Sequence, residues 1–235
     1  MCGIPATTGY LEVMSTRCAM VGGVVVAIVA ECAGAQAINF DLWLAGTTPS
    51  DNYGGGAGQA GVWNAAGKFP FADVDGNLTS IYLSPNGGGS ATVHVPGASP
   101  DDAALMDDFY SLQDSNYLAV GNLSEGKYRV YVYMWQGAIE QKSGYTDCRV
   151  IVQGNTPSNT LLSTTYTKDW PGQQVYKTTY DYVDIQISGS ATIFFTPGFK
   201  DFCILQGFQL VPIPGPSSLA LLAPLGLAAT RRRRR

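Results

Sequence analysis

Short runs of β-branched and aromatic residues, separated by clusters of Gly, Pro, Asn, Asp and Ser, fill the sequence from residue 38 to residue 211. Many short runs with turn residues between them are typical of an all-β sandwich or barrel. The roughly 170 residues of this region are enough for one domain with its own core. We predict strands at residues 38–44, 78–83, 91–95, 117–120, 127–135, 148–153, 160–167, 175–179, 183–188, 191–196 and 203–211.

Two of these runs also indicate which faces are covered. Residues 128–135 are apolar on both alternating faces apart from Arg129, which predicts a central strand covered on both sides. Val183, Ile185 and Ile187 alternate with polar residues, so their strand should have one face in water. We expect Trp43, Trp63 and Trp135 to lie in the core.

One short helix should interrupt the strands. Ser99 suits the N-cap, Pro100 the first helical position, and Asp101 and Asp102 the first turn. The helix should continue past residue 106 and end by Ser111.

The N-terminal region has the layout of a secretory signal peptide. The segment Met14-Ser-Thr-Arg17 supplies a start and a positive charge, residues 20–30 are apolar, and Ala35-Gln36-Ala37 is a small-residue cleavage site. We therefore predict initiation at Met14, a signal-peptide helix, and cleavage after Ala37.

The last 25 residues contain a proline-rich hinge, a short apolar stretch and a block of arginines. The apolar run 218–230 is interrupted by Pro224 and is shorter than the ~20 residues that cross a bilayer comfortably. The arginines should stay on the cytoplasmic side, which places the preceding domain outside. We predict a short C-terminal hydrophobic helix and three regions: a leader at 1–37, a β-sandwich ectodomain at 38–211 and a tail at 212–235.

This order of elements resembles the PEP-CTERM sorting signal of exported bacterial proteins. The family's Pro-Glu-Pro corresponds here to Pro212-Ile213-Pro214 or to Pro214-Gly215-Pro216, both without the glutamate. The resemblance implies export machinery and a sorting protease of the exosortase type as partners, and a secreted or cell-surface location with transient membrane anchoring. A plain tail anchor, or a solvated basic terminus that binds nucleic acid, is the alternative. The sorting motif comprises Pro212, Pro214, Gly215, Pro216, Arg231, Arg232, Arg233, Arg234 and Arg235.

Three internal passages carry a second resemblance. GQAGVWNAAG at 58–67, NLSEGKYRVYVYMW at 122–135 and CILQGFQLVP at 203–212 look like those of planctomycete-type PEP-CTERM proteins. The ectodomain of those proteins is similar to galactose-binding-like jelly-roll sandwiches. The resemblance implies a single jelly-roll-like β-sandwich here.

Charge and cysteine content restrict the function of the predicted ectodomain. Between leader and tail, eight Lys and Arg stand against 16 Asp and Glu, a net charge of −8, which argues against nucleic-acid binding. Cys148 and Cys203 are the only cysteines in this region. Outside the cell they would form a disulfide or remain as two buried free thiols.

The usual catalytic residue sets are missing from the sequence. His94 is the only histidine, lies in a predicted strand and has no motif around it, so no Ser-His-Asp set or zinc site is expected. The glycine-rich run 54–58 does not join a strand to a helix with the required lysine, which indicates a flexible loop rather than a phosphate-binding loop.

Acidic residues allow an alternative, a secreted carbohydrate-active enzyme that uses paired carboxylates. A simpler explanation is available for both obvious pairs. Asp101 and Asp102 favour a helix N-terminus, and Asp107 and Asp108 are expected on a solvated helix face.

Calcium is the one cofactor that the sequence suggests. Asp73, Asp75 and Asn77 place oxygen atoms at alternate positions around a glycine, as calcium loops do. The run lacks the glutamate and the glycine spacing of an EF-hand, and a plain Asp-Gly turn is the alternative. A calcium-stabilised binding module is therefore a third interpretation.

A sugar ligand requires an exposed aromatic plane beside polar groups. Trp170 lies in the polar turn Lys168-Asp169-Trp170-Pro171-Gly172, and Tyr166, Tyr180 and Tyr182 lie nearby in sequence. We name Trp170, Asp169 and Tyr166 as ligand-binding candidates; the alternative is that the rings cover the sandwich. The leading hypothesis is an exported, non-enzymatic, glycan-associated protein of the cell surface or extracellular matrix, with polysaccharide as its partner.

Overall fold

A computed structural model describes residues 35–42, 47–135, 137, 145–154, 158–199 and 202–215. The predicted signal-peptide helix, Trp43, the C-terminal hydrophobic helix and Arg231 to Arg235 lie outside the described residues. Within the described ranges, no helix is both long and apolar enough to span a bilayer.

The described residues form a β-sandwich with one short α-helix, which confirms the predicted fold class. The elements are β1 Ile38–Asp41, a 3₁₀ turn at Gly55–Ala57, β2 Trp63–Ala65, β3 Tyr82–Asn86, β4 Gly89–Thr92, α1 Pro100–Met106, β5 Asp108–Gln113, β6 Tyr117–Gly121, β7 Gly126–Tyr133, β8 Tyr145–Gln153, β9 Ser158–Thr165, β10 Tyr180–Ile187, β11 Thr192–Pro197, β12 Phe202–Leu205 and β13 Gly207–Pro212.

Two five-stranded sheets form the layers. The first has the order β10-β7-β13-β1-β2 and the second the order β3-β6-β11-β8-β9, while β12-β5-β4 form a smaller third sheet. Neighbouring strands are antiparallel except β1 and β2, which are parallel. From β6 to β11 the chain crosses repeatedly between the two larger sheets, as in a jelly roll.

The core lies between the two larger sheets and is centred on phenylalanines. The ring of Phe208 in β13 is 4.7 Å from that of Phe40 in the same sheet and 4.9 Å from that of Phe195 in the opposite sheet. Val130 and Val132 of β7 are fully buried on this inner face. Alternation along β7 therefore turns Arg129 and Tyr131 to the outer face.

The outer face of β7 differs from its prediction. The strand is central in its sheet, between β10 and β13, but Arg129 and Tyr131 are only half-buried. Tyr133 on the same face is fully buried. The expectation of a strand covered on both sides is therefore wrong for half of its length, because the covering loop reaches only as far as Tyr133.

That covering loop is the glycine-rich run. The amide of Gly56 donates to the Tyr133 hydroxyl at 2.7 Å. A Cβ on Gly55, whose φ is +56°, would lie 2.4 Å from the Tyr133 hydroxyl oxygen, and a Cβ on Gly56 would lie 2.6 Å from the Tyr180 ring. These glycines let the backbone approach the sheet closely, a role that the sequence interpretation of a loop did not include.

The helix begins as predicted and ends earlier. Ser99 caps α1, since its hydroxyl accepts from the amide of Asp102 at 3.1 Å. The last helical residue is Met106, and Asp108 already begins β5. The carboxylate of Asp107 accepts from the amide of Val95 at 2.8 Å, which directs the chain into the small sheet rather than into another helical turn.

Other strand predictions also differ from the structure. The predicted strand 78–83 is displaced to β3, Tyr82–Asn86, and the predicted strand 91–95 to β4, Gly89–Thr92. Residues 175–179 form a turn rather than a strand, and β2 was not predicted. The predicted strand 203–211 is two strands, separated at Gln206, whose side chain accepts from the amide of Trp135 at 2.9 Å and donates to its carbonyl at 2.6 Å. β13 also includes Pro212, one residue beyond the predicted boundary, because a proline is tolerated at the end of a strand.

Substitution of Gly56 should test the packing of the covering loop. We expect Gly56→Ala to lower the free energy of unfolding by about 1–3 kcal/mol, because the new methyl group would overlap the Tyr180 ring. Gly89→Ala is the control, since its Cβ would meet only the Ser111 hydroxyl at 3.8 Å. Chemical denaturation of both variants measures the difference, and equal stabilities would contradict this role of Gly56.

Candidate functional site

Four tyrosines form a patch on the outer face of the β7–β10 pair: Tyr131, Tyr176, Tyr180 and Tyr182. Ring centroids are 5.2 Å apart for Tyr176 and Tyr182, 5.4 Å for Tyr131 and Tyr182, and 5.9 Å for Tyr176 and Tyr180. The four rings are half-buried or exposed, and Tyr176 is 46% exposed. We call this surface the tyrosine patch.

Strand register places three of these rings. Tyr180 pairs with Tyr133 and Tyr182 pairs with Tyr131 across the β10–β7 ladder. Side chains paired across an antiparallel ladder lie on the same face, so the patch is built directly on two hydrogen-bonded strands. Burial raises the pKa of the Tyr180 hydroxyl, and the neighbouring tyrosines add to that effect.

The fourth ring comes from the turn before β10. Thr179 closes this turn, since its hydroxyl accepts from the amide of Val175 at 2.8 Å and its amide donates to the Val175 carbonyl at 2.8 Å. Lys177 occupies the left-handed region with φ of 63°, and its amide donates to the Tyr180 carbonyl at 2.7 Å. The turn thereby sets Tyr176 against Tyr180 and Tyr182.

A buried carboxylate ties this turn to the rest of the domain. Asp102, at the start of α1, accepts from the Tyr53 hydroxyl at 2.5 Å and from the Gln174 side-chain amide at 3.0 Å. Burial, and then the hydrogen bond to Asp102, raise the pKa of Tyr53. Gln174 directly precedes the turn that carries Tyr176, so Asp102 helps to position the patch without belonging to it.

Charged groups border the patch next to Tyr182 and next to Tyr176. The Arg129 guanidinium lies 4.5 Å from the centre of the Tyr182 ring and makes two hydrogen bonds to Asp184, at 2.6 and 2.9 Å. The hydrogen bond from Arg129 lowers the pKa of Asp184. The Lys177 ammonium lies 5.5 Å from the centre of the Tyr176 ring and 2.5 Å from Asp181.

An open pocket of about 350 Å³ lies farther along β10, past Arg129. Its lining includes Lys127, Asp184, Gln186 and Ile213. Asp184 belongs to both the pocket and the border of the patch, so one strip of surface runs from the aromatic rings into this pocket.

This strip combines two kinds of interaction. Half-exposed aromatic faces offer stacking area for an apolar ring face. The guanidinium, ammonium, carboxylate and amide groups beside them offer hydrogen bonds at the edge of such a ring. A pyranose has this combination, with an apolar C–H face and a rim of hydroxyls.

The predicted ligand-binding residues are only partly associated with the strip. Trp170 is half-buried and packs its edge against Trp135, with ring centroids 5.3 Å apart. Both rings belong to a second hydrophobic cluster that includes Trp63 and Tyr133. Asp169 is exposed, and Tyr166 has no ring contact with the tyrosine patch within the described ranges. Ligand contact by these three residues stays a prediction.

The predicted core tryptophans that the structure describes, Trp63 and Trp135, are buried as expected. By contrast, the sequence analysis noted Tyr180 and Tyr182 only as neighbours of Trp170, and it did not predict a patch formed with Tyr131 and Tyr176. One signal was available, because the alternation that buries Ile185 and Ile187 also places Tyr180, Tyr182 and Asp184 on the opposite, wet face.

Cys148 and Cys203 are free thiols, both fully buried. They lie on β8 and β12, and burial is the main cause that raises the pKa of the Cys203 thiol, with a hydrogen bond to Cys148 adding to it. The structure therefore places the two residues near each other as buried free thiols on separate strands.

The predicted calcium residues form a turn. The carboxylate of Asp73 accepts from the amides of Asp75 and Asn77 at 3.0 and 2.9 Å, and from the Asn77 side chain at 3.0 Å. This is the hydrogen-bonding pattern of an Asx turn. Among the described residues, no three His, Cys, Asp or Glu side chains are grouped as ligands for a metal ion.

Three of the four acidic residues in the two pairs accept hydrogen bonds: Asp101, Asp102 and Asp107. Asp101 accepts from the amide and hydroxyl of Ser50 at 2.7 and 3.0 Å. Asp108 is buried rather than on a solvated helix face, and one of its oxygens has no partner among the described residues. Burial, then the charge of Asp107, raises the pKa of Asp108 to about 7.

His94, expected inside a strand, is exposed just beyond β4.

The pKa of Asp108 predicts a pH-dependent stability. Because its pKa rises from 3.8 to about 7 on folding, the folded state binds this proton more tightly. The stabilisation that comes from proton binding by Asp108 is complete below the unfolded pKa of 3.8 and is lost as the pH rises through about 7. We expect Asp108→Asn to flatten the decline of Tm between pH 5 and pH 8, and the exposed control Asp75→Asn to leave it unchanged. A decline that persists in Asp108→Asn would contradict this assignment.

No protein-family model matches the chain, and no curated protein matches it. Among solved structures, it is similar to a family 35 carbohydrate-binding module from Clostridium thermocellum, at 15% identity over 57% of this chain and 100% of that one, with a TM-score of 0.37. A second similar structure is a CBM35 from Paenibacillus barcinonensis, at 14% identity, 57% and 100% coverage and a TM-score of 0.36.

An exo-β-1,3-galactanase from Phanerochaete chrysosporium is also similar, at 18% identity over 60% of this chain, with a TM-score of 0.36. This chain spans about a third of that enzyme, 32% of its length. The geometry of the tyrosine patch, and not these similarities, is the basis for a function.

Proposed function

We propose that this chain is an exported, non-enzymatic β-sandwich protein of the cell surface or extracellular matrix that binds a polysaccharide on its tyrosine patch. The single observation that carries this proposal is the patch itself: four tyrosines in mutual contact on the outer face of a sheet, bordered by the Arg129–Asp184 pair.

The patch is suited to binding because its geometry is fixed before a ligand arrives. Three rings project from paired strands, and the turn that carries Tyr176 is closed by Thr179 and anchored through Gln174. Aromatic residues with few rotatable bonds lose little conformational entropy on binding. The net charge of −8 between leader and tail excludes a general role in binding nucleic acid backbones.

Removal of an aromatic ring should weaken polysaccharide binding. We expect Tyr182→Ala to reduce affinity about tenfold or more, because Tyr182 contacts Tyr131, Tyr176 and Arg129 at the centre of the patch. Affinity electrophoresis against a panel of neutral and acidic polysaccharides identifies the ligand. Calorimetry then measures the difference in affinity between the parent and Tyr182→Ala.

The matched control is Tyr82→Ala, which removes a 39% exposed tyrosine from β3 in the opposite sheet. It should bind like the parent. Equal loss in both variants, or unchanged binding by Tyr182→Ala, would contradict a site on the tyrosine patch. Release of reducing sugar in the same samples would contradict the non-enzymatic part of the proposal and favour the carboxylate enzyme.

The C-terminal part of the proposal is a sorting signal. Pro212 lies within β13, and the amide of Ile213 donates to the Lys127 carbonyl at 2.8 Å. Pro214 is exposed. Because the first of the two alternative motifs is partly held in the sandwich, the second, Pro214-Gly215-Pro216, is the one that we assign to the sorting protease.

Charge reversal in the arginine block should disturb membrane retention. We expect replacement of all five arginines, Arg231 to Arg235, by glutamate to reduce the membrane-retained precursor, because the positive charges would stop translocation on the cytoplasmic side. Replacement by lysine keeps the charge and should preserve retention. Fractionation of pulse-labelled cells separates the two outcomes, and retention of the glutamate variant would show that the arginines have another role.

A further inference from the structure

The sequence offers two overlapping small-residue triplets at the end of the leader. Ala33-Gly34-Ala35 permits cleavage after Ala35, and Ala35-Gln36-Ala37 permits cleavage after Ala37. By sequence alone we expected the second. The hydrogen bonds of Gln36 and Ala37 in the folded domain distinguish the two.

Gln36 and Ala37 are part of the sandwich. The amide of Gln36 donates to the hydroxyl of Tyr128 at 3.2 Å, and its side-chain oxygen accepts from the hydroxyl of Ser124 at 3.4 Å. The carbonyl of Ala37 accepts from the amide of Val74 at 3.0 Å. These three contacts join the segment to the loop before β7, to β7 itself and to the 73–77 turn.

Cleavage after Ala37 would remove all three contacts. The amide of Val74 would lose its acceptor, and the buried Tyr128 would lose a donor to its hydroxyl. A charged α-amino group would then stand on Ile38, which is fully buried at the start of a strand paired on both sides. Charge at the end of a buried strand is costly unless it is solvated or paired.

Cleavage after Ala35 avoids these costs. Gln36 would carry the new α-amino group, which can still donate to the Tyr128 hydroxyl. Gln36 is only half-buried, so water reaches the charge. Ala35 is half-buried against the main core and next to Gly126, so its removal loses the packing of one methyl group and none of the three hydrogen bonds.

We infer that the bond between Ala35 and Gln36 is the processing site and that the mature protein begins at Gln36. This inference rests on the export part of the proposed function and is independent of the ligand. A free N-terminal glutamine also cyclises: its amine nitrogen bonds to the side-chain carbonyl carbon, the bond from that carbon to the amide nitrogen breaks, and ammonia leaves. The lactam chain still begins at residue 36 and is lighter by one ammonia.

The test uses the full chain in an export-competent bacterial host. Intact mass and the N-terminal peptide of the exported protein should show Gln36, as glutamine or its lactam. Two matched variants separate the triplets. Ala33→Asp should leave most of the chain uncut, because it places a charge in the first triplet alone. Ala37→Asp alters only the second triplet and should be cut like the parent.

An N-terminus at Ile38, or loss of cleavage in Ala37→Asp with normal cleavage in Ala33→Asp, would overturn the inference while leaving export intact. A parent chain recovered uncut in the cytoplasm would overturn both this inference and the export proposal. Polysaccharide binding by the patch is measured on folded protein and is unaffected by either result.

Discussion

The hydroxyl of Tyr133 holds the outer face of the first sheet together. It accepts from the amide of Gly56 at 2.7 Å and donates to the side-chain oxygen of Gln209. Gln209 in turn donates to Asn39 at 2.8 Å, and the Gln59 side chain donates to the same Asn39 oxygen at 2.8 Å. A buried polar group left without a partner costs about 1–3 kcal/mol, so loop and sheet depend on one another. Where this covered region ends, the tyrosine patch begins.

Side chains of the same strand, β7, therefore lie in three different environments. Val130 and Val132 fill the core, Tyr133 lies under the glycine loop, and Tyr131 lies at the surface. Because Tyr131 and its neighbours on β10 are fixed by the strands, the tyrosine patch gains its rigidity from the backbone hydrogen bonds of the sheet rather than from loop packing. Only Tyr176 depends on a turn, and Asp102 connects that turn to α1 through Gln174.

Local chemistry predicted local features well. The alternation of Val183, Ile185 and Ile187 with polar residues predicts a strand with one face in water, which β10 has. The start of α1 at Ser99-Pro100 follows from the capping preferences of these two residues. The tyrosines were harder, since a tyrosine suits a core, an edge or a surface equally well. Whether Tyr131 is covered depends on where residues 54–58 settle, a contact between segments more than 70 residues apart. Asp108 was misplaced for a similar reason, because its burial comes from the small sheet and not from its own helix.

Both ends of the described sandwich lie beside the start of β7, a central strand of the first sheet. Ala35 packs on Gly126, and Ile213 bonds to the carbonyl of Lys127, the next residue along. Chain ends that lie this close let a domain be inserted into a surface loop of another protein, or be circularly permuted through a short linker, without disturbing its strands. In this sandwich, new chain ends could be opened at an exposed turn away from Gly126 while the order of the strands in each sheet stays the same.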